Sequence, residues 1–377
     1  MNWPTVKLGE VCEVVGGGTP KTGIPEYWDG DIPWLTPRDL SSHRELFISK
    51  GSRSISQAGL EKSSAQLLPA GTVLWSSRAP IGHVAIASNE IATNQGFKSF
   101  VPGPKVDSQY LAQVLRFMKE PLQELGTGAT FKEVSAKRAR EISIPLPPLE
   151  EQKRIAAILR VMETQILRVE KETELLHQVR FAAFARLSHQ TRVSLNDVVE
   201  IRSGQVDPKH PKYRNSPHVA PNALMSGETA IGPLNSCAED RVTSGKYRFE
   251  KGDVLYSKIR PYLNKVVVAE LDGVCSADMY ALVPKAPLTP YFLRELLATP
   301  SFLAYADRNS GRSSIPKINR DSLMRYELNI PLENEIEKFS KVAVRIQQQI
   351  GILNRKRSAL ELLRVSLASR LFSKNMG

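Results

Sequence analysis

The sequence predicts an α+β protein in which two similar globular domains, each a strand-rich mixed α/β domain, are separated by two long helices. Two stretches carry the heptad spacing of a coiled coil. The whole unit of globule plus helix is repeated along the chain. Short β-branched runs bounded by Gly and Pro fill the parts outside the helices. Together these observations favour two related domains whose helices pair as an antiparallel coiled coil.

The first long helix is predicted to begin after Pro148 and to run to Leu187, and the second lies near the C-terminus. Each has about 38 residues, on the order of 57 Å at the helical rise. Their apolar stripes share two polar breaks, and an apolar stripe needs a partner, so we expect the helices to lie together. The first stripe is Ile155, Leu159, Met162, Ile166, Val169, Thr173, Leu176 and Arg180, and the second is Phe339, Ala343, Ile346, Ile350, Leu353, Arg357, Leu360 and Arg364.

The repetition extends through the globular parts. Leu8–Gly17 has an echo in Leu195–Gly204, and Pro69–Pro80 has one in Glu250–Pro261. The matches keep their order at an offset of about 180 to 186 residues, which indicates a tandem duplication. The predicted divisions are residues 1–147 for the first globular domain, 148–187 for the central helix, 188–331 for the second globular domain, and 332–377 for the distal helix and tail.

Within each globule the pattern predicts more strand than helix. The predicted strands are Val73–Trp75, Val84–Ala87, Val254–Tyr256 and Lys265–Ala269, and Tyr110–Lys119 and Tyr291–Leu297 have helical spacing. Gly71 and Gly252 are expected to form turns into strands. Trp28, Trp34 and Trp75 are expected in the core rather than as platforms for stacked bases.

Composition indicates the class of partner. The 377 residues carry a formal net charge of +12, which favours a polyanion such as nucleic acid or describes no more than a basic soluble protein. The three cysteines are widely separated, which argues against a disulfide framework and a zinc site. The sequence shows neither a signal pattern nor a membrane-spanning run, so we expect a cytoplasmic protein without a membrane partner.

Motifs for catalysis are missing from the sequence. It contains no phosphate-binding Gly-x-x-x-x-Gly-Lys-Ser/Thr loop, and its six histidines lack metal-ligand spacing. Glu151–Lys153 has the Glu-x-Lys form of some nucleases, but acidic residues in the first turn of a helix are explained by the helix dipole. We therefore expect no catalytic residues, no metal site and no cofactor in this chain.

Polar and basic side chains on glycine-bounded loops are the candidate DNA contacts. Arg, Asn and Gln can read base edges, whereas Lys, Ser and Thr mostly hold phosphates. Each of them alone could be a solvated loop residue, and Asn94–Gly96 could be a structural turn. The candidates are Thr19, Lys21, Arg38, Ser77, Arg78, Asn94, Gln95, Thr130 and Lys132 in the first globule, and Lys209, Lys212, Lys258, Arg260, Arg312 and Lys317 in the second.

At these residues the sequence resembles the specificity subunit of a type I restriction-modification enzyme. The resemblance covers the full length of the chain, although Ala92–Gln95 has no clean counterpart near Cys275–Asp278, and Pro147 and Pro148 become Glu333 and Asn334. The matching segments are Gly17–Pro20, Glu26–Trp28, Ile32–Trp34, Ser76–Gly82, Ala92–Phe97, Thr130–Glu133 and Ile144–Gln152.

The resemblance implies two target-recognition domains that each read one half of a split site in double-stranded DNA. The paired helices would set the spacer and dock two methyltransferase (modification) subunits. Those subunits would bring S-adenosylmethionine and flip an adenine from each half-site. Where a motor-nuclease subunit that uses ATP and Mg also joins, the complex would restrict phage DNA; without it, the complex would only methylate.

This interpretation predicts a geometry, and two rival functions predict other results. Two related domains on an antiparallel helix pair would contact half-sites about one helical turn, roughly 34 Å, apart. A stand-alone nuclease would instead cleave DNA with magnesium and no partner. A helical scaffold that binds only protein would lack the steep salt dependence that phosphate contacts give.

Overall fold

The computed structural model describes residues 3–78, 80–127, 132–188, 190–229, 231–311 and 314–372. Two units divide the chain: the first comprises Met1–Glu170 with Lys356–Gly377, and the second comprises Lys171–Arg355. Each long helix therefore contributes one segment to each unit.

The first unit follows the chain through short strands and helices to the first long helix. Its strands are Thr5–Lys7 (β1), Cys12–Gly16 (β2), Trp28–Leu35 (β3), Phe47–Ile48 (β4), Arg53–Ile55 (β5), Val73–Trp75 (β6), Val84–Ala87 (β7), Ala92–Thr93 (β8), Lys98–Pro102 (β9) and Ser143–Pro145 (β10). Its helices are Leu8–Val11 (α1), Pro37–Ser42 (α2), Gln57–Glu61 (α3), Ser108–Phe117 (α4), Lys119–Glu124 (α5), Ala136–Arg140 (α6) and the beginning of Leu149–Ala185 (α7).

In this unit the end of β6 lies next to the segment that joins β8 to β9. A five-stranded sheet has the order β2-β9-β6-β7-β4, a three-stranded sheet has the order β5-β3-β8, and β1 pairs with β10. Gly71 precedes β6 with φ +89°, a left-handed conformation that favours glycine, which accounts for the turn there. α4 starts where the carboxylate of its N-cap, Asp107, accepts a hydrogen bond from the Tyr110 N–H at 2.9 Å.

The second unit repeats this plan. Its strands are Thr191–Ser194 (β11), Val199–Ile201 (β12), Gln205–Val206 (β13), His218–Val219 (β14), Lys246–Phe249 (β15), Val254–Ser257 (β16), Val266–Val268 (β17), Gly273–Cys275 (β18), Met279–Pro284 (β19) and Glu327–Ile330 (β20). Its helices are Leu195–Val198 (α8), Pro211–Arg214 (α9), Pro290–Leu296 (α10), Pro300–Arg308 (α11), Arg320–Met324 (α12) and the beginning of Glu333–Phe372 (α13). Short 3-10 turns cover Pro25–Tyr27, Pro221–Ala223 and Pro261–Leu263.

The sheet orders of the second unit confirm the duplication inferred from sequence. One sheet has the order β12-β19-β16-β17 and matches β2-β9-β6-β7 of the first unit. The other has the order β13-β15-β18-β14, in which β14 and β18 run parallel as β3 and β8 do. β11 pairs with β20 as β1 pairs with β10. The predicted strands and helices lie in these elements with small differences at their ends, and the fold is mixed α/β in both units.

Segments of α7 and α13 lie in the core of each unit. In the first unit, Ile155 and Leu159 near the start of α7 share a core with Ala368 and Phe372 near the end of α13. In the second unit, Phe184 near the end of α7 packs against Phe339 near the start of α13, with ring centroids 5.4 Å apart. Within each unit the two helix segments thus meet with opposite ends, as an antiparallel pair requires.

The heptad positions of both stripes are buried or half-buried. Val169, Ile350 and Leu353 are among the buried ones, and Met162, Ile166, Leu176 and Leu360 are half-buried. Some of these side chains are buried by the globular domains rather than by the other helix, since Ile155 and Leu159 also pack in the core that holds Tyr110. A continuous coiled coil along the whole of both helices stays a prediction.

The start of α7 has a buried anchor that the sequence interpretation overlooked. The Gln152 side chain is fully buried; its Nε2 donates to the Pro147 and Lys105 carbonyls at 2.8 and 3.0 Å, and its Oε1 accepts from the Asp107 N–H at 2.8 Å. Glu151, by contrast, forms a salt bridge with Arg154 at 2.7 Å on the exposed side of the first turn. The helix start therefore has a structural role, in agreement with the interpretation of this segment as a helix terminus.

Candidate nucleic-acid interface

A tight turn at Asn94–Gly96 is the centre of the predicted site in the first unit. The Gly96 N–H donates to Asn94 Oδ1 at 2.9 Å, and the Phe97 N–H donates to the Asn94 carbonyl at 3.2 Å. The Asn94 N–H in turn donates to the Leu35 carbonyl at the end of β3, at 2.9 Å. Asn94 Oδ1 thus accepts a hydrogen bond within the turn. A structural turn at Asn94–Gly96 was one of the two alternatives that the sequence left open.

The loop after β2 lies directly on this turn. A Cβ on Gly17 would come within 2.0 Å of the Asn94 carbonyl oxygen, so only glycine permits the approach. The Gly18 N–H donates to the Thr93 carbonyl at 2.8 Å, and the Thr19 hydroxyl donates to Gln95 Oε1. The structure therefore brings Thr19, Asn94 and Gln95 together, although they are far apart in sequence.

A third loop, after β6, completes this arrangement. The Ser77 N–H and hydroxyl donate to the Gly96 carbonyl at 2.8 and 3.1 Å, and the Ser77 carbonyl accepts from the Val134 N–H at 2.9 Å. We call the loops at residues 17–19, 77–78, 94–96 and 133–134 the Asn94 frame. The structure differs from the expectation for Ser77, because this side chain is fully buried and its hydroxyl is used to hold the frame.

Arg78 is joined to two residues that sequence reasoning missed. Arg78 Nε donates to Glu133 Oε2 at 2.8 Å, and Lys98 Nζ donates to Glu133 Oε1 at 3.1 Å. Burial would raise the pKa of Glu133, but the hydrogen bonds and charges of Arg78 and Lys98 outweigh it and hold that pKa below its usual value. Lys98 follows Phe97 in the sequence, so a basic residue beside the turn was the available signal.

The remaining candidates of the first unit lie around the Asn94 frame or outside the described residues. Lys132, next to Glu133, is exposed, and so are Lys21 and Arg38. Arg38 follows Pro37, whose ring lies so close to Gly96 that a Cβ there would meet Pro37 Cγ at 2.8 Å. Thr130 lies outside the described residues.

Trp28, Trp34 and Trp75, the three tryptophans predicted to lie in the core, are buried. Trp75 lies in the main core, and Trp28 and Trp34 pack edge to face with ring centroids 5.1 Å apart. Trp34 Nε1 donates to the Gly18 carbonyl at 2.9 Å, so this residue also supports the loop that carries Thr19. The Arg53 guanidinium lies 3.5 Å from the centre of the Trp28 ring.

The second unit holds its loops with the same main-chain hydrogen bonds. The Lys258 N–H donates to the Asp278 carbonyl at 3.0 Å, and the Lys258 carbonyl accepts from the Ile318 N–H at 3.0 Å. These bonds match those that Ser77 makes with Gly96 and Val134. Lys258 therefore occupies the position of Ser77.

This equivalence corrects the statement that Ala92–Gln95 has no clean counterpart. The Asp278 N–H donates to Ser276 Oγ at 3.2 Å, and the Met279 N–H donates to the Ser276 carbonyl at 2.9 Å. Ser276 thus caps the turn as Asn94 does, with a hydroxyl in place of a side-chain amide. The sequence concealed this match because Asn and Ser differ in type while both hydrogen-bond a main-chain N–H two residues ahead.

We call the loops at residues 258–260, 276–278 and 317–318 the Ser276 frame, and three of the predicted DNA contacts lie on it. Lys258 Nζ lies 4.9 Å from the centre of the Tyr280 ring, and burial together with the nearby Lys317 ammonium lowers the pKa of Lys258. Lys317 Nζ lies 3.8 Å from Asp278 Oδ1. Arg260 is exposed with φ +47°, and its N–H donates to the Pro316 carbonyl at 2.7 Å.

The other candidates of the second unit do not join this frame. Lys209 and Lys212 are exposed next to or within the short helix α9, and Lys212 Nζ lies 5.5 Å from the centre of the Tyr213 ring. Arg312 lies outside the described residues. Each unit therefore presents basic side chains around one hydrogen-bonded frame, with different side chains at equivalent places.

The part of the chain that the structure describes lacks the features of a metal site and of a membrane-spanning helix. Within it, no group of three or more His, Cys, Asp or Glu side chains is placed to hold a metal ion. None of its helices combines the length and the apolarity needed to cross a membrane. Cys12, Cys237 and Cys275 are buried free thiols.

Comparison with known proteins assigns the fold. The crystal structure of the type-I restriction-modification system S subunit from M. genitalium has a TM-score of 0.66 with this chain at 15% sequence identity. The alignment covers 99% of this chain and 96% of that one. At this identity the likeness establishes the fold alone, along nearly the whole chain.

Two proteins that are similar to this chain in sequence are also specificity subunits of type I restriction enzymes. The chain is 40% identical over 185 residues to the Type I restriction enzyme MjaIX specificity subunit of Methanocaldococcus jannaschii, a match that covers 48% of this chain and 43% of that relative. It is 26% identical over 401 residues to the Type I restriction enzyme EcoDI specificity subunit of Escherichia coli, covering 93% of this chain and 84% of that relative. The match thus spans less than half of the first relative and most of the second.

The family comparison covers both halves of the duplication. Residues 1–177 and residues 190–362 each match the family described as the type I restriction modification DNA specificity domain. The two matched segments contain the Asn94 frame and the Ser276 frame respectively. The protein therefore belongs to the type I restriction modification DNA specificity domain family.

Proposed function

We propose that this chain is the DNA sequence-specificity subunit of a type I restriction-modification complex. Each unit reads one half of a bipartite site in double-stranded DNA through the side chains around its frame. The observation that carries the proposal is the pair of frames, which share main-chain hydrogen bonds but present different side chains: Ser77 and Glu133 in one stand where Lys258 and Lys317 stand in the other. Two different half-sites require the same backbone arrangement to present different side chains, as these two frames do.

The exposed cations supply the phosphate contacts. Phosphate contacts position a protein on DNA, and base contacts select the sequence. Gln95 and Arg78, at the Asn94 frame, have the side chains suited to reading base edges, while the fully buried Ser77 supports the loop. The cations assigned to phosphates are Lys21, Lys132, Lys209, Lys212 and Lys317.

The long helices set the spacer between the half-sites and dock two methyltransferase subunits. Support for docking comes from apolar side chains that remain exposed on these helices in the single chain. Val161 is 61% exposed, Leu362 is 72% exposed, and Leu175 and Val179 are half exposed or more. Exposed apolar surface of this kind is typical of a protein interface.

The chain itself is non-catalytic in this proposal. S-adenosylmethionine is bound by the methyltransferase subunits, and ATP and Mg belong to a motor-nuclease subunit where one is present. The partners act on DNA in the cytoplasm, a compartment in which the three free thiols stay reduced. No residue of this chain is assigned to bond making or breaking.

Mapping methylated adenines in a host that carries this chain with its methyltransferase tests the proposal. We expect methylation at a two-part sequence with an unread gap and half-site centres about one helical turn apart. Deletion of this chain alone should abolish that methylation. Methylation at an uninterrupted site, or cleavage of DNA by the purified chain with magnesium alone, would contradict the proposal.

A further inference from the structure

A cavity of about 350 Å³ opens beside the Ser276 frame in the second unit. We call it the Lys258 cavity. It lies between the end of β12, the loop into β13, and the adjacent ends of β16 and β19. The side chains that matter for its chemistry are those of Arg202, Gln205, Tyr247, Lys258, Tyr280 and Arg320.

Two of its three cations lack an anionic partner. Arg202 is neutralised, since its Nη2 lies 2.8 Å from Glu250 Oε2 and its guanidinium also pairs with Asp253. Lys258 and Arg320 form no salt bridge within the described part of the chain, and Asp278, the nearby carboxylate, pairs with Lys317. Asp278 offsets part of this charge, but the cations Lys258, Lys317 and Arg320 outnumber it, and such an excess makes the cavity attractive to an anion.

The rest of the lining suits a phosphate group carried on a larger molecule. The cavity volume corresponds to about ten water molecules at roughly 30 Å³ each, more than an isolated phosphate needs. Gln205 Nε2 donates to the Tyr247 hydroxyl at 3.3 Å, which leaves polar groups along one wall. The Tyr280 ring lies under the Lys258 ammonium and limits the positions that this side chain can take.

The equivalent place in the first unit has a carboxylate that the second unit lacks. Arg78 and Glu133 form an isolated β-bridge, and Ile259 and Lys317 form the matching one, so Lys317 takes the place of Glu133. In the first unit Glu133 forms salt bridges with both Arg78 and Lys98. In the second unit Lys317 stands in place of this shared carboxylate, and Ile259 stands in place of Arg78.

Arg320 distinguishes the units in the same manner. It is the first residue of α12 and follows the N-cap Asn319, whereas Ala136 is the first residue of α6 and follows the N-cap Ser135. The matched position therefore carries a guanidinium in one unit and a methyl group in the other. Arg320 is exposed, and a guanidinium can bind a phosphate with two parallel hydrogen bonds.

We propose that the Lys258 cavity binds one backbone phosphate of the half-site read by the second unit, held by Lys258 and Arg320. This inference rests on the proposed function and adds Arg320, Gln205 and Tyr247 to the interface. The phosphate contact fixes the position of the DNA strand on the second unit only. It does not select a base, so its loss weakens binding to all sequences alike.

Salt titration of DNA binding by the complex with its methyltransferase subunits tests the inference. The duplex carries the site found by methylation mapping, and a second duplex carries a scrambled second half-site. We expect R320A to reduce the slope of log K against log salt by about 0.9, the value for one phosphate contact, on both duplexes. K258M should do the same, and the matched control R325A, at the C-cap of the same helix but outside the cavity, should leave the slope unchanged.

Neutral methylphosphonate placed at single positions of the second half-site locates the contact. One position should weaken wild-type binding and have no further effect on R320A. An unchanged slope for R320A, or a change confined to particular bases, would overturn the inference. If the wild-type complex bound its own site no more tightly than the scrambled duplex, the proposed function would be wrong. This outcome can be told apart from failure of the inference, because it is measured on the wild-type complex and not on R320A.

Discussion

Arg180 on α7 and Glu295 on α10 form a buried ion pair in the second unit, with Nε 2.8 Å from Oε1 and both side chains about 5% exposed. The approach is that of an ion pair rather than of an aligned hydrogen bond. Arg294 Nη1 lies 2.7 Å from the same carboxylate oxygen. Burial lowers the pKa of Arg180 to about 10, a value at which the group remains charged at neutral pH.

Removing the carboxylate should strongly destabilise this unit. E295Q leaves two buried guanidinium groups without their anion, a situation that costs about 3–5 kcal/mol in other proteins. Urea unfolding followed by circular dichroism gives the change. The control is E327Q, which removes an exposed pair with Arg192 and should cost about 1 kcal/mol or less. Equal effects of the two variants would contradict the buried pairing.

The Glu133 carboxylate should make the stability of the first unit depend on acid pH. The folded-state pKa of Glu133 is lowered: burial opposes the shift, but hydrogen bonds from Arg78 and Lys98 outweigh it. Its stabilising contribution is therefore present above about pH 4.3, the unfolded value, and is lost as the pH falls through the folded pKa. We expect the difference in unfolding free energy between wild type and E133Q to be larger at pH 7 than at pH 3. A difference that grows on acidification would argue against this ion cluster.

Gln152 should be needed to hold the start of α7 on the first unit. Q152A leaves the Pro147 and Lys105 carbonyls and the Asp107 N–H without their partner, and each buried unsatisfied group costs about 1–3 kcal/mol. Thermal unfolding measures the loss. Q178A, an exposed glutamine on the same helix, is the control and should change stability by about 0.5 kcal/mol or less.

Gly17 and Gly16 offer a matched pair of substitutions at the Asn94 frame. G17A places a methyl group against the Asn94 carbonyl and should cost about 1–3 kcal/mol and impair recognition of the first half-site. G16A meets no atom within 4 Å and should bind as wild type does. Methylation assays on duplexes with one altered half-site measure both. Recognition by G17A that equals that of G16A would show that the loop does not approach the turn closely.

The helices should act as a ruler. Inserting one heptad into both helices adds about 10.5 Å of rod, so the gap between half-sites should lengthen by roughly three base pairs while the half-sites stay the same. Methylation mapping in a host that carries the insertion variant reads the gap and the half-sites together. New half-site sequences, or an unchanged gap, would contradict the claim that the helices set the distance between the half-sites.

The duplication and the strand-rich domains were predictable from sequence because hydrophobic spacing and glycine-bounded turns recur in order. The stripes on both helices were predicted as well, and their residues are buried or half-buried. The equivalence of Asn94 and Ser276 was not predictable from sequence, because the two residues share a hydrogen-bonding role but differ in residue type. Gln152 and Glu133 were missed because their partners lie in segments distant in sequence, which only the folded chain brings near. Ser77 was expected at the surface because a hydroxyl in a polar loop gives no sign of its burial.

The turn at Asn94 and its counterpart at Ser276 depend almost entirely on main-chain groups and one short side chain each. Ala277, which is exposed in its turn, can therefore be exchanged at low thermodynamic cost, and exchange of the exposed Gln95 removes only its hydrogen bond with Thr19. Under the proposed function, a change of recognised sequence therefore requires only a few substitutions in one unit and leaves the hydrogen bonds of the turn intact.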